Sequence, residues 1–276
     1  MDHWKMESIV PIEEEFLKNP ELKLQDMESL REWLAECRPN IPKIPDSLLI
    51  LFLHSCYYNM EKTRKCITRF YELRANTPYH FNNRDVTRPE LQTALSVLRF
   101  CIIPERDPNG YVIIFHKLKI TEPSAYVFND GVKLLQMTAD CALHLHGTVP
   151  GMVMFFDASG VRLGHLTRVS LFAMRKFFQY IQEAKPVRLK AIHVANTSPI
   201  IDKILTVVRP FIQKELLDLV HFHTDNASLQ KHLPTTCLPI DYGGVLEDID
   251  TLHDKHAKFL EEMLPKFQQE EEYRKG

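Results

Sequence analysis

Two short apolar runs constrain this chain more than anything else in it. They are Met152-Val153-Met154-Phe155-Phe156-Asp157 and Leu189-Lys190-Ala191-Ile192-His193-Val194-Ala195-Asn196. Each has the length of a strand and the continuous apolar character of one buried on both faces. A helical pattern over 166–184 joins them. Strand, helix and strand in that order require a crossover between parallel neighbours, so a mostly parallel sheet covered by helices is expected.

The chain around this unit changes character twice. From Leu22 onward the pattern is helical, with Leu30, Trp33 and Leu34 at i, i+3, i+4. Pro39, Pro42 and Pro45 break it, and Asp46-Ser47 opens a short buried helix carrying Leu48, Leu49, Leu51, Phe52 and Leu53. A third helix is expected from Met60 to Ala75, with Cys66, Ile67, Phe70, Tyr71 and Leu73 inward and Lys62, Arg64, Lys65, Arg69 and Arg74 on a solvated face. Leu98 to Ile103 and Tyr111 to Phe115 then read as strands around the turn Asp107-Pro108-Asn109-Gly110. A helix follows from about Asp130 to His146, and a last strand lies near Leu219 to His223. The expected organisation is an N-terminal helical region over 1–95, an α/β region over 96–245 and a charged helical tail over 246–276.

Composition excludes several function classes. With 45% hydrophobic and 25% charged residues, the chain reads as a soluble globular protein with a sizeable core. A net charge of -2 offers no basic excess for nucleic acid. The run from Leu48 to Leu53 is far below the ~20 residues of a membrane span. The start Met1-Asp2-His3-Trp4-Lys5 has no apolar leader segment, and the six cysteines are scattered without C-x-x-C. A cytoplasmic location with reduced thiols is expected.

Reactive constellations are scarce. There is no G-x-S-x-G, and Ser159 sits in an ordinary turn, Asp157-Ala158-Ser159-Gly160. Nine glycines include no G-x-G-x-x-G and no P-loop, so no nucleotide cofactor is expected. His144/His146 and His221/His223 are H-x-H pairs and His253/His256 are three apart, but none has two further ligands nearby in sequence. Neither an enzyme nor a metal protein is expected, and His193, flanked by apolar residues, reads as an interior histidine.

Apolar surface remains. In the helix over 166–184, Val169, Ala173, Phe177, Tyr180/Ile181 and Ala184 form one stripe, and Leu171, Met174 and Phe178 form another. A helix apolar on two faces should be covered on both sides, and one stripe is a candidate cavity wall. Ile200, Ile201, Ile204, Leu205, Val207 and Val208 nearly surround a short helix between Pro199 and Pro210, which makes it a candidate lid.

At these residues the sequence resembles the CRAL-TRIO (Sec14-like) lipid-binding family, most closely its α-tocopherol transfer protein branch. The resemblance is carried by Ile192-His193-Val194-Ala195-Asn196, by the lid-like helix running into Arg209-Pro210-Phe211, by His221-Phe222-His223 and by Leu238-Pro239-Ile240-Asp241-Tyr242-Gly243-Gly244. Asp107-Pro108-Asn109-Gly110, Phe156-Asp157-Ala158-Ser159-Gly160 and the helical front around Asp46 to Leu53 also fit, for coverage of about 28 to 260.

The resemblance implies a helical bundle followed by a sheet floor, a hydrophobic pocket and a mobile helical gate. It implies a carrier of tocopherol, a retinoid or another isoprenoid-like lipid, with a phospholipid- or phosphoinositide-sensing module that docks a protein partner as the alternative. By position, the pocket wall would include Leu134, Thr138, Met152, Phe156, Phe177, Tyr180, Ile181, Leu189 and Ile192, and the gate Ile201, Ile204 and Val207. Arg188 and Lys190 match two basic positions of the branch's phosphoinositide patch, whereas Cys56, Glu215, Leu217 and Leu219 stand at others. The expected partners are a hydrophobic ligand and, transiently, a membrane surface, with the protein a monomer.

Overall fold

The computed structural model describes residues 10–38 and 40–275. The expectations for Met1 to Lys5 and for Pro39 lie outside the described residues. Six helices come first: α1 (Ile12–Lys18), α2 (Leu24–Cys37), α3 (Asp46–Ser55), α4 (Met60–Asn76), α5 (Pro78–Phe81) and α6 (Pro89–Val97). Then follow β1 (Leu98–Ile102), β2 (Val112–Leu118), α7 (Phe128–His146), β3 (Met152–Asp157), α8 (Leu163–Leu166), α9 (Leu171–Glu183) and β4 (Leu189–Ala195). The remainder is α10 (Ile200–Val208), α11 (Lys214–Leu217), β5 (Val220–Phe222), α12 (Asn226–Gln230), α13 (Ile249–Glu262) and α14 (Leu264–Lys275).

The five strands form one sheet in the order β1-β2-β3-β4-β5. β1 and β2 are antiparallel, and each later pair is parallel. The hairpin turn is built by Asp107, whose Oδ1 accepts from the backbone N–H groups of Asn109 at 2.9 Å and Tyr111 at 2.7 Å. Gly110 completes it at φ +76°, a conformation that costs glycine little.

Alternation along the strands sorts side chains onto two faces. Phe100, Ile102, Val112, Ile114 and Met152 share a core with Leu135, Ala139 and Leu143 of α7 and with Phe259, Leu260, Met263 and Phe267 of the tail. Cys101, Ile113, Phe115, Val153 and Phe155 face the other way, onto Leu229, Leu233, Leu238, Tyr242, Ile249 and Leu252. The charged tail thus turns apolar residues into both cores. The N-terminal helices hold a third core, including Met27, Leu30, Leu49, Phe52, Ile67 and Phe70, which also receives Tyr180 and Ala184 of α9.

Two expectations are corrected. Leu166 ends the separate short α8, and the helix expected over 166–184 begins only at Leu171, where Ser170 caps it by accepting from the Ala173 N–H at 3.4 Å. Its first turn is also not covered on both sides: Leu171 and Phe172 are 54% and 61% exposed. Arg74 is the second correction. It is not solvated but buried, with Nε and Nη2 donating to the Tyr180 hydroxyl at 3.0 and 2.7 Å and its guanidinium 4.1 Å from the centre of the Phe70 ring. A residue that reads as surface by helical position becomes interior because α9 lies across that face of α4.

Candidate functional site

A cavity of about 380 Å3 lies between the first face of the sheet and the helices α7, α9 and α10. Its floor is made by alternate strand residues: Leu98 and Phe100, His116 and Leu118, Met152, Met154 and Phe156, then Leu189, Ile192 and Val194. One wall is a stripe of α7 at helical spacing, Phe128, Gly131, Val132, Leu135, Gln136 and Ala139. The opposite wall is Met174, Phe177, Phe178 and Ile181 of α9, and the rim includes Ile204 and Val208 of α10. Met154, Phe156, Phe177, Ile181 and Ile192 are only half-buried although they face inward, because their accessible surface is cavity surface. A volume of this size with mostly apolar walls is that of a small-molecule site.

Seven of the twelve residues named from sequence line this cavity: Met152, Phe156, Phe177, Ile181, Leu189, Ile192 and Ile204. Leu134, Thr138, Tyr180, Ile201 and Val207 do not. Leu134 and Thr138 lie on the far side of α7, where the Thr138 hydroxyl bonds the Leu134 carbonyl at 2.8 Å and His256 Nε2 at 2.9 Å. Tyr180 turns to the N-terminal core, roughly 100° around the helix from Ile181. Ile201 packs against Ala158 and Val194 beside the cavity, and Val207 is half-buried outside it. The α7 stripe was missed in the sequence, although Phe128, Gly131, Val132, Leu135, Gln136 and Ala139 carry the i, i+3, i+4 signal that would have found it.

Few polar groups interrupt the lining. His116 is stacked between Phe100 and Phe156, with centroids 5.4 and 4.6 Å away. Burial pushes its imidazole down to about 4, against a weaker opposing pull from Asp157, so it is uncharged near neutrality. His165 packs edge-on to Tyr126 at 5.7 Å, and burial lowers it as well. Nδ1 of His116 and Nε2 of His165 are buried without a hydrogen-bond partner among the described residues. At the other end of the strands Lys185 donates to Gln136 Oε1 at 2.7 Å, and both residues line the cavity.

Arg188 and Lys190 are brought together on one aromatic ring. The Arg188 guanidinium lies 4.0 Å from the centre of Tyr57 and donates to the His54 carbonyl at 2.8 Å, while Lys190 donates to the Tyr57 hydroxyl at 3.0 Å. Burial first, and then these two charges, hold His54 down to about 4. Lys203, Arg209 and Lys214 are exposed on and after α10.

On the opposite face of the sheet the fold gathers His193, His221, His223 and His232, which the sequence shows only as an H-x-H pair and two distant residues. Five of their ring pairs have centroids 4.9–5.3 Å apart, and His193 Nδ1 is 2.9 Å from His223 Nε2. Among the described residues, no group of three or more His, Cys, Asp or Glu is arranged to hold a metal ion. No helix of the described residues is long and apolar enough to cross a membrane, and all six cysteines are free thiols.

Comparison with known proteins agrees with this architecture. The family model for the CRAL/TRIO domain matches residues 98–244, which contain the whole sheet and its cavity. A second model, described as Pinta-like, UBA domain, matches residues 19–91. The chain is similar to human alpha-tocopherol transfer protein-like, with 27% identity over 241 residues, 86% of this chain and 70% of that one. It is similar to human clavesin-2, with 22% identity over 240 residues, 86% of this chain and 73% of the relative. The crystal structure of Sfh5 shares the fold at a TM-score of 0.56 and 14% identity, over 89% of this chain and 96% of that one. With the matched domain spanning more than half of its length, the chain belongs to the CRAL/TRIO lipid-binding and transfer family.

Proposed function

We propose that this protein binds one long apolar lipid, of tocopherol, retinoid or other isoprenoid-like character, and carries it between membranes without transforming it. The observation that supports this most is the cavity of about 380 Å3, walled by Phe156, Phe177, Ile181 and Ile192 and interrupted by few polar groups. Burying ~400 Å2 of apolar ligand surface at ~25 cal/mol per Å2 is worth about 10 kcal/mol before ordering costs, enough for tight binding with no covalent chemistry.

In this reading α10 is the gate. Ile204 and Val208 face the ligand, Asp202, Lys203 and Thr206 face outward, and the helix is flanked by Pro199 and Pro210. Opening against a bilayer would solvate its apolar face while the lipid leaves. Leu171 and Phe172, exposed at the start of α9, add apolar surface for such contact. Arg188 and Lys190 would face anionic headgroups, and the protein would act as a cytoplasmic monomer.

The test is transfer of a fluorescent isoprenoid from donor to acceptor vesicles. Ile204→Asp puts a charge on the cavity rim and should cut uptake at least tenfold with the far-ultraviolet circular dichroism unchanged. Unchanged transfer would remove α10 from the mechanism. Binding by the native protein without any transfer would favour the lipid-sensing module that docks a protein partner.

A further inference from the structure

The cavity contains one buried cation that an apolar cargo does not explain. Of the two lysines in its lining, Lys117 is half-exposed near the end of β2, whereas Lys185 is 9% exposed and sits just after α9, before β4 begins. An ammonium group is three donors and no acceptor, and an unpaired one is costly inside a protein. Among the described residues its one hydrogen bond is to a neutral amide, Gln136 Oε1 at 2.7 Å.

Among the described residues no carboxylate makes a direct ion pair with Lys185; Asp140, the carboxylate that acts on it electrostatically, is shared with Arg74 and Arg84. Asp140 and Glu270 are held by Arg74 and Arg84 together: Arg74 reaches them at 3.0 and 2.9 Å, and Arg84 reaches Asp140 at 2.8 Å and also pairs with Glu270. Arg274 takes a further share of Glu270 at 3.4 Å. Two carboxylates thus serve three guanidinium groups, and Lys185 is left facing the π surface of Tyr180 at 5.8 Å. Burial pushes its ammonium down to about 8, with Asp140 opposing and Arg74 and Arg84 assisting that fall.

We propose that Lys185, together with Gln136, anchors the carboxylate of an amphipathic lipid, so that the cavity selects a long-chain or isoprenoid acid over a neutral lipid of the same shape. One carboxylate oxygen accepts from Lys185 Nζ. The other accepts from the amide NH2 of Gln136, whose oxygen already faces the lysine. This monoanion completes a site that has one cation, one amide and no guanidinium fork of the kind that suits a phosphate. The tail then runs over the sheet from Leu189 towards Val194, Phe156 and Val161, all cavity-lining. Five residue steps along β4 span roughly 17 Å, room for a chain of about a dozen carbons. The assignment rests on the lipid-cavity reading and adds the chemical class of the cargo's end.

The experiment uses the full chain with two fluorescent probes, cis-parinaric acid and its methyl ester. The acid should bind roughly tenfold to a hundredfold more tightly than the ester, the range for hydrogen bonds to charged groups. Lys185→Met keeps the side-chain length and removes the charge, so it should erase that preference, the acid losing far more affinity than the ester. In the native protein the preference should fall as pH rises above about 8, where the free ammonium loses its proton, and this dependence should vanish in the variant. Equal affinity for acid and ester, or a preference that survives Lys185→Met, would overturn the anchor while leaving the cavity reading intact. If neither probe binds the native protein, the anchor is overturned, and the cavity reading is decided by the isoprenoid transfer assay.

Discussion

The two faces of the sheet are made by the same strands and differ in how they are filled. On one face Phe115, Phe155 and Tyr242 pack ring against ring at 4.9–5.6 Å. On the other, Phe156 stacks on His116 at 4.6 Å and otherwise looks into a cavity of about 380 Å3. Phe155 and Phe156 are consecutive residues of one strand, one fully buried and the other half-buried. Strand geometry separates them, and the covering elements decide their roles. Close packing is what a stable core needs, and an unfilled apolar face is what a binding site needs.

The adjacent pair gives the largest expected effect. Phe155→Ala opens a hole in a filled core and should cost about 3–5 kcal/mol in urea unfolding. Phe156→Ala removes atoms that already border a void and should cost about 1–2 kcal/mol, while weakening lipid retention. Equal stability losses would erase the distinction between the faces.

Tyr242→Phe probes the filled face more gently. The tyrosine hydroxyl donates to Asp157 Oδ2 at 2.6 Å, and its loss should cost about 1–3 kcal/mol. Burial pushes Asp157 up, but hydrogen bonds from Ser159, Tyr242 and Asn196 outweigh it and hold the carboxyl below its ordinary 3.8. A lowered folded-state value contributes stability that is fully present above the unfolded value and is lost as pH falls through the folded one. The variant should therefore acid-unfold at higher pH than the native protein. Coincident acid transitions would show that this bond does not set the carboxyl.

The smallest effect is expected outside both faces. Lys190→Ala removes an exposed contact with Tyr57 and should change stability by no more than about 0.5 kcal/mol. Sedimentation with anionic vesicles should show weaker association. A large stability loss would mean that the Tyr57 contact holds the helical region to the sheet.

Much of this was legible beforehand because it rests on local patterns. The two apolar runs became β3 and β4, the Asp107 turn became the hairpin, and the apolar segment after Pro199 became α10. The cavity was legible in part. Phe177 and Ile181 follow from the stripe on α9, but Tyr180 belongs to a different core because the N-terminal bundle covers its side of the helix. Both sides of α9 are apolar, so the sequence had no means of telling cavity from core. On α7, Leu134 and Thr138 came from the family resemblance rather than from periodicity, whereas the stripe that lines the cavity keeps helical spacing but includes Gly131 and the polar Gln136.

By itself the sequence determined the alternation of strands and helices, the parallel sheet and the apolar character of whatever it encloses, because each follows from side-chain periodicity within a segment. Only the tertiary structure decided where the empty space falls and which charges are buried. Arg74 and Lys185 are far apart in sequence and look like surface residues, yet α4, α7 and α9 bring both beside Asp140. Burial depends on what covers a residue, and the covering segments lie too far along the chain for any local pattern to name them.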